Sequence, residues 1–142
     1  MKKNMKKNSK GFTLVELLAV IVVLAVIMVI ATTQISGVIK KNTVDSFKSS
    51  LDVVAKEAKT AYIQYGDSVS ATQIADYVDY DTAQYTITVP TSGANAGKVC
   101  ITSVSGGKFS NMDTTYLDNV FGTGKYTFDS TSKQTTACKD FK

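Results

Sequence analysis

An uninterrupted apolar run near the start of the chain constrains its fold more than any other feature. Every residue from Leu17 to Ala31 is apolar, and no charged residue occurs between Leu17 and Ile39. About 20 mainly apolar residues are enough for a helix to cross the hydrocarbon core of a bilayer. Five lysines precede the run, and lysines in this position orient the N-terminus toward the cytoplasm. The run therefore predicts a membrane-spanning helix with a cytoplasmic N-terminus.

One carboxylate, that of Glu16, stands at the head of this apolar run. A charged side chain deep in the hydrocarbon costs about 2.5–3.5 kcal/mol on the more lenient insertion scale. A position near the membrane interface explains why Glu16 is tolerated, because a carboxylate in the first turn of a helix favours its dipole. That position does not explain the abrupt change from basic to apolar sequence at Gly11 and Phe12.

The stretch KGFTLVE at residues 10–16, followed by the apolar run, resembles the N-terminus of type IV prepilins and the related pseudopilins. The resemblance of the helix extends to about residue 65. It implies cleavage between Gly11 and Phe12 by a membrane prepilin peptidase, N-methylation of Phe12, and assembly into a helical filament. It also implies that Glu16 meets the amino terminus of a neighbouring subunit. An intrachain pair between Phe12 and Glu16, one helical turn apart, is the alternative.

Two other classes of membrane-targeted protein are compatible with the apolar run alone. A secretory signal peptide has an apolar core of about 7–15 residues that ends at a small-residue cleavage site. Here the run continues through Thr32 and Gln34 into a further helical pattern, which disfavours cleavage after Ala31. A plain single-span protein with an external domain explains the helix but leaves the KGFTLVE motif as a coincidence.

The formal net charge of +4 does not indicate a nucleic-acid partner. Five of the 16 lysines precede Gly11, so the rest of the chain holds 11 lysines against 12 carboxylates. The basic excess therefore lies in a segment that we expect to be removed. The sequence shows no lysine cluster after Lys41, and non-specific DNA binding needs several phosphate contacts.

The composition gives no support for an enzyme. Histidine is absent, which removes the commonest general base and the commonest metal ligand. We therefore predict no catalytic site, no cofactor and no metal site. Some pseudopilins bind calcium in C-terminal loops, but a calcium ion needs about six to eight oxygen ligands. Solvated polar caps are the better interpretation of the two aspartate groups, Asp76 with Asp79 and Asp81, and Asp113 with Asp118.

Beyond Lys41 the helical pattern becomes one-sided. Apolar residues recur at spacings of three and four, which predicts an amphipathic helix that ends at Gly66. The spacing also fits a coiled-coil seam, but three heptads with two alanines make a weak one. We favour packing of this stripe against a sheet of the same chain. The stripe consists of Val44, Phe47, Leu51, Val54, Ala58, Ala61 and Tyr65.

The remaining residues predict a small antiparallel head. Ser70 and Gln73 match a capping box before a short helix from Ala71 to about Val78. Residues 114–121 fit either a short helix or an irregular loop, and Gly106 and Gly107 fit a hairpin turn. Alternating β-forming residues predict strands at Tyr85–Val89, Lys98–Val104, Tyr126–Asp129 and Thr135–Cys138, with a further one beginning at Lys108–Ser110.

Together these elements predict an α+β fold, in which a long N-terminal helix packs on a small antiparallel sheet. The expected division is a cytoplasmic leader at 1–11, a transmembrane or filament-core half of the helix at 12–39, an amphipathic half at 40–66, and an extracytoplasmic head at 67–142. Cys100 and Cys138 both lie in the head. An even pair of cysteines in an exported domain suggests a disulfide, and many type IV pilins staple their C-terminal region in this way.

The resemblance implies a structural subunit, or pilin, of a type IV pilus. A pseudopilin of a type II secretion or competence DNA-uptake system is the alternative. The expected partners are the membrane before assembly, the prepilin peptidase, the pilus assembly machinery and other copies of the chain. The expected location is a single-pass plasma membrane protein that becomes part of a cell-surface pilus.

Overall fold

The computed structural model describes residues 11–142, so most of the expected leader lies outside the described residues. The chain divides into two compact units, of which the first ends at Gly37 and the second comprises Val38–Lys142. Helix α1 spans Leu14–Tyr65 and is followed by a single 3-10 turn, Gly66–Ser68. The other elements are α2 (Ala71–Ala75), β1 (Tyr85–Thr88), β2 (Lys98–Ser103), α3 (Thr114–Phe121), β3 (Tyr126–Asp129) and β4 (Gln134–Asp140).

In the first unit, α1 exposes its apolar side chains on every side. An 18-residue window of this helix has a mean hydropathy of 3.2, and none of that window is buried. By length and composition the helix is able to cross a membrane. Apolar side chains all round a helix are typical of a segment that is covered by lipid or by other helices.

In the second unit, the predicted apolar stripe of α1 forms one side of the core. Phe47 is fully buried, and its ring lies 5.3 Å from that of Phe109 and 6.2 Å from that of Phe121. Six of the seven stripe residues are buried, but the prediction for Tyr65 was wrong, since its side chain is 39% exposed. Tyr62 packs against the core instead, with its ring 5.9 Å from that of Phe141. The stripe thus packs within its own chain, as we favoured over a coiled-coil seam.

The four strands form one antiparallel sheet in the order β1-β2-β4-β3, which confirms the α+β fold. The inner strands are β2 and β4, and α3 lies in the connection that leads from β2 to the far edge strand β3. Val99 and Ile101 of β2 and Ala137 of β4 are buried in the core, as expected for a sheet with one covered face. Cys100, between Val99 and Ile101, is also buried.

The predicted tight turn at Gly106 and Gly107 is present, with the Gly107 amide donating to the Val104 carbonyl at 3.1 Å. It does not join two strands of a hairpin, because the strand predicted at Lys108–Ser110 does not form. This segment forms turns, with the Ser110 amide donating to the Gly107 carbonyl at 3.0 Å. A Cβ at Gly107 would lie 2.6 Å from the Ala83 carbonyl oxygen, so the glycine permits a close approach of backbones. Phe109 is buried beneath the turn. The apolar residue that suggested a strand is therefore a core residue contributed by a turn.

The two short helices have the caps that their sequences encode. Ser70 and Gln73 form the predicted capping box at the start of α2, although the helix ends at Ala75 and not near Val78. Residues 114–121 form helix α3, with Asp113 as its N-cap. Both ends of α3 are fastened to α1. The ammonium group of Lys40 lies 3.3 Å from the Asp113 carboxylate, and that of Lys48 donates to the Val120 carbonyl at 3.2 Å.

A disulfide joins the two inner strands of the sheet. Cys100 and Cys138 lie directly opposite each other in the β2–β4 register, and the structure bonds their sulfur atoms at 1.99 Å. The bond closes a segment with a sequence separation of 38 that contains α3 and β3.

We expect Cys100→Ser to destabilise the second unit and to leave membrane insertion unchanged. The disulfide restricts the unfolded chain, and for this loop length its removal costs about 4 kcal/mol on the chain-entropy model. Thermal unfolding of the full chain in detergent, followed by near-ultraviolet circular dichroism, measures the loss. Thiol labelling of unreduced wild-type protein tests whether the bond forms. Stoichiometric labelling of both cysteines before any reduction would show that it does not.

The Lys40–Asp113 pair predicts a pH dependence of stability. Burial alone raises the pKa of Asp113, but the Lys40 ammonium and the Thr115 amide outweigh it and hold that pKa below its usual value. A depressed folded-state pKa stabilises the fold above the unfolded pKa, which is about 3.9 for Asp. This stabilisation is lost as the pH falls through the lower folded-state pKa. Asp113→Asn should therefore reduce the acid dependence of the unfolding midpoint between about pH 2 and pH 5. Asp45→Asn, which changes a carboxylate of α1 that takes no part in the Lys40–Asp113 pair, serves as the control.

Candidate processing and assembly site

The expected cleavage site lies in non-helical backbone just before α1. Gly11, Phe12 and Thr13 are exposed and precede the first helical residue, Leu14. The Phe12 side chain is 85% exposed. Within residues 11–142, apart from Gly11 and its chain neighbour, no heavy atom lies within 4 Å of the position a Cβ would take at Gly11. Exposed irregular backbone of this kind is where proteases gain access to a chain. The geometry is thus compatible with cleavage between Gly11 and Phe12, which stays a prediction.

Thr13 and Glu16 form a reciprocal capping box at the start of α1. The Glu16 amide donates to the Thr13 hydroxyl at 3.3 Å, and the Thr13 amide donates to Oε2 of Glu16 at 3.0 Å. The Thr13 hydroxyl also donates to the same carboxylate oxygen at 3.1 Å. The box satisfies two of the amide groups that a helix leaves unpaired at its first turn. We did not predict it, although a threonine followed three residues later by a glutamate before an apolar run is its sequence signature.

The capping box provides hydrogen-bond donors to only one of the two oxygen atoms of the Glu16 carboxylate. Both recorded bonds use Oε2, and in residues 11–142 no hydrogen bond to Oε1 occurs. The structure holds Glu16 against Thr13 and not against Phe12, whose nitrogen is an amide in the uncleaved chain. The role of Glu16 in subunit assembly therefore stays a prediction, and Oε1 is the oxygen available for it.

The aspartates that we compared with calcium ligands take part in local structure. Asp81 accepts from the Ala83 amide at 2.8 Å, and Asp118 accepts from the Tyr126 hydroxyl at 3.0 Å. Asp113 caps α3, whereas Asp76 and Asp79 are exposed. Among the described residues, no group of three or more histidine, cysteine, aspartate or glutamate side chains is placed to hold a metal ion.

Comparison with known families agrees with this N-terminal geometry. Residues 6–32 match the prokaryotic N-terminal methylation motif. The chain carries the prepilin motif of the type IV pilin-like family. The long N-terminal helix and the small sheet of this pilin-like chain fit that family. Neither a curated protein nor a solved structure matched the chain.

The motif supports a type IV pilin-like protein with a prepilin-type N-terminus. Together with a helix that is able to cross a membrane, it fits a membrane-anchored precursor. The motif ends at residue 32, so the second unit is described by its own structure alone.

We expect Thr13→Val to weaken the first turn of α1, whereas Thr13→Ser should not. Valine is similar in shape to threonine but lacks the hydroxyl that accepts from the Glu16 amide, and loss of an N-cap costs about 1 kcal/mol. Hydrogen exchange at the Glu16 amide, measured on the full chain in detergent micelles, should accelerate about fivefold in the valine variant. Equal exchange rates in all three proteins would contradict the capping box.

Proposed function

We propose that the chain is the structural subunit, or pilin, of a type IV pilus. Prepilin peptidase removes residues 1–11, Phe12 is methylated, and processed copies assemble into a helical surface filament. One observation carries this proposal: a prepilin motif, whose Glu16 is part of a capping box, begins a helix whose first half is apolar on every side.

The exposed half of α1 supports an environment that changes during assembly. Each large apolar side chain in water costs about 1.5–3 kcal/mol relative to burial, so this half needs lipid or other helices around it. A membrane satisfies that need before assembly. Copies of the same helix satisfy it in a filament core, since apolar side chains lose little when lipid contacts are replaced by helix contacts.

Cleavage creates the charge that Glu16 needs. The nitrogen of Phe12 becomes an α-amino group, which is mostly cationic at neutral pH because its pKa is about 7.7–8.0, and methylation keeps the charge. In an apolar filament core this cation and the Glu16 carboxylate both need a partner. At an effective dielectric constant of about 20, opposite charges 4 Å apart attract by roughly 4 kcal/mol. With Oε2 engaged by Thr13, Oε1 receives the amino group of a neighbouring subunit, which fixes the axial offset between subunits.

This proposal assigns the parts of the chain to successive roles. Residues 1–11 are a cytoplasmic leader, and residues 12–39 span the plasma membrane and later form the filament core. Residues 40–66 join that core to the head at 67–142, which lies outside the membrane and faces the filament surface. The partners are the membrane, the prepilin peptidase, the assembly machinery and other copies of the chain.

We expect Glu16→Ala to leave cleavage and membrane insertion intact and to prevent entry into filaments. The variant keeps the cleavage site and the apolar helix but removes the carboxylate that meets a neighbour's amino group. Cells that express only the variant are separated into membrane and sheared-filament fractions, and the intact mass of the subunit is measured in each. Processed variant, lacking residues 1–11 and carrying one methyl group, should accumulate in the membrane fraction.

Asp45→Ala, a carboxylate of the same helix outside its apolar half, is the matched control and should give a normal filament yield. A normal yield from Glu16→Ala would refute intersubunit pairing in favour of an intrachain pair. Wild-type protein that retains residues 1–11 in cells with an active prepilin peptidase would refute the processing itself. Processed wild-type protein that never appears in long sheared filaments would favour the pseudopilin alternative.

A further inference from the structure

A groove lined by four lysines lies at one edge of the sheet, where β4 extends beyond β3. The β3–β4 register ends at Tyr126 opposite Ala137, so residues 138–140 of β4 pair with β2 alone. The space left beside them has a volume of about 510 Å³. We call it the basic groove, because the lysines that line it are Lys48, Lys98, Lys125 and Lys139.

Most of the positive charge in the basic groove is not neutralised. Lys139 is paired with Asp52 at 2.7 Å, whereas Lys48 donates to a neutral carbonyl. Lys98 and Lys125 form no ion pair within the part of the chain that the structure describes, although Asp140 lies opposite Lys98 in the strand register. This cluster is not apparent in the sequence, because its lysines come from α1, β2, β4 and the turn before β3.

The opposite edge of the sheet carries the complementary charge. Asp76, Asp79 and Asp81 are exposed in the segment between α2 and β1, which we call the acidic segment (residues 76–81). β1 and β3 are the two edge strands. The acidic segment precedes the end of β1 that pairs with Ser103, whereas the basic groove adjoins the Lys98 end of β2. The two surfaces are therefore diagonally opposite on one sheet and cannot meet within one copy.

The charge balance distinguishes a second copy from a polyanion as the occupant of the groove. Residues 38–142 hold eleven lysines and eleven carboxylates, so this unit is neutral overall, while the basic groove and the acidic segment carry local charge of opposite sign. Attraction of a nucleic acid or another polyanion depends on a net positive field and on many phosphate contacts. A neutral unit with complementary edges is instead suited to a copy of itself.

We propose that the basic groove of one copy receives the acidic segment of a second copy. The inference rests on the proposed function and adds to it a specific contact between heads. Such a contact is heterologous, because different surfaces of the two copies meet, and repetition of a heterologous contact produces a ring or an open helical filament. The charged groups of this contact mainly determine the register of neighbouring heads and add little to the affinity between copies. The apolar helices supply most of that affinity.

Charge reversal with rescue tests this contact in cells that express the full chain. We expect Lys98→Glu/Lys125→Glu to lower the yield of sheared filaments about tenfold, the change that corresponds to about 1.4 kcal/mol. Asp76→Lys/Asp79→Lys should lower it similarly, and the combination of all four changes should restore it. Lys125→Glu alone is also made, because Lys98→Glu places a second carboxylate opposite Asp140 and so weakens the strand pairing itself. The matched control is Lys56→Glu/Lys59→Glu, two exposed lysines of α1 outside the groove, and it should leave the yield unchanged.

Carbodiimide crosslinking of wild-type cells provides a second measurement, because it joins amines to carboxylates that are in contact. A dimer band whose digest links Lys98 or Lys125 to Asp76 or Asp79 is expected. Absence of any such link in abundant filaments, or a failure of the four-residue exchange to restore yield, would overturn the contact alone. If Lys98→Glu/Lys125→Glu left the filament yield unchanged but abolished binding to immobilised DNA, the contact between copies would be overturned in favour of a polyanion in the groove. The expected link in membranes that never produce filaments would overturn the pilus and retain the contact.

Discussion

The second unit depends on the burial of one helical stripe, and Phe47 is at its centre. The Phe47 ring contacts Phe109 in the turn after β2 and Phe121 at the end of α3, so one residue of α1 holds both the turn and the short helix against the stripe. A large aromatic side chain in a core contributes about 3–5 kcal/mol by comparison with alanine. The lysines at positions 40 and 48 then fix α3 beside this stripe, one at each end of the short helix.

Most of the fold could be predicted because its signals are local. The periodicity of α1, the capping box of α2 and the alternation in β1 each lie within a few residues. The prediction was wrong where tertiary contacts override local pattern: Phe109 resembled a strand residue but is buried under a turn that Gly107 permits. Tyr65 continues the stripe in sequence but lies at the end of the helix, where its side chain is exposed.

The N-terminal motif and the basic groove differ in how far they could be predicted from the sequence. The motif at residues 10–16 is contiguous, so its resemblance was evident, and the Thr13–Glu16 box was overlooked although its signature was present. The box shows that Glu16 stabilises the first turn of its own helix, which helps to explain why a carboxylate is tolerated beside the apolar run. The basic groove is different, because only the strand register brings its lysines together, and no linear pattern records that register.

The disulfide between the inner strands also limits how far the chain can be extended. When a protein is pulled from its two ends, each residue released by unfolding adds roughly 3.4 Å of length. The bond between Cys100 and Cys138 withholds a segment with a sequence separation of 38, which corresponds to roughly 130 Å of contour length at that rise. A chain pulled from both ends would thus stop extending at the bond, with α3 and β3 still enclosed in the covalent loop.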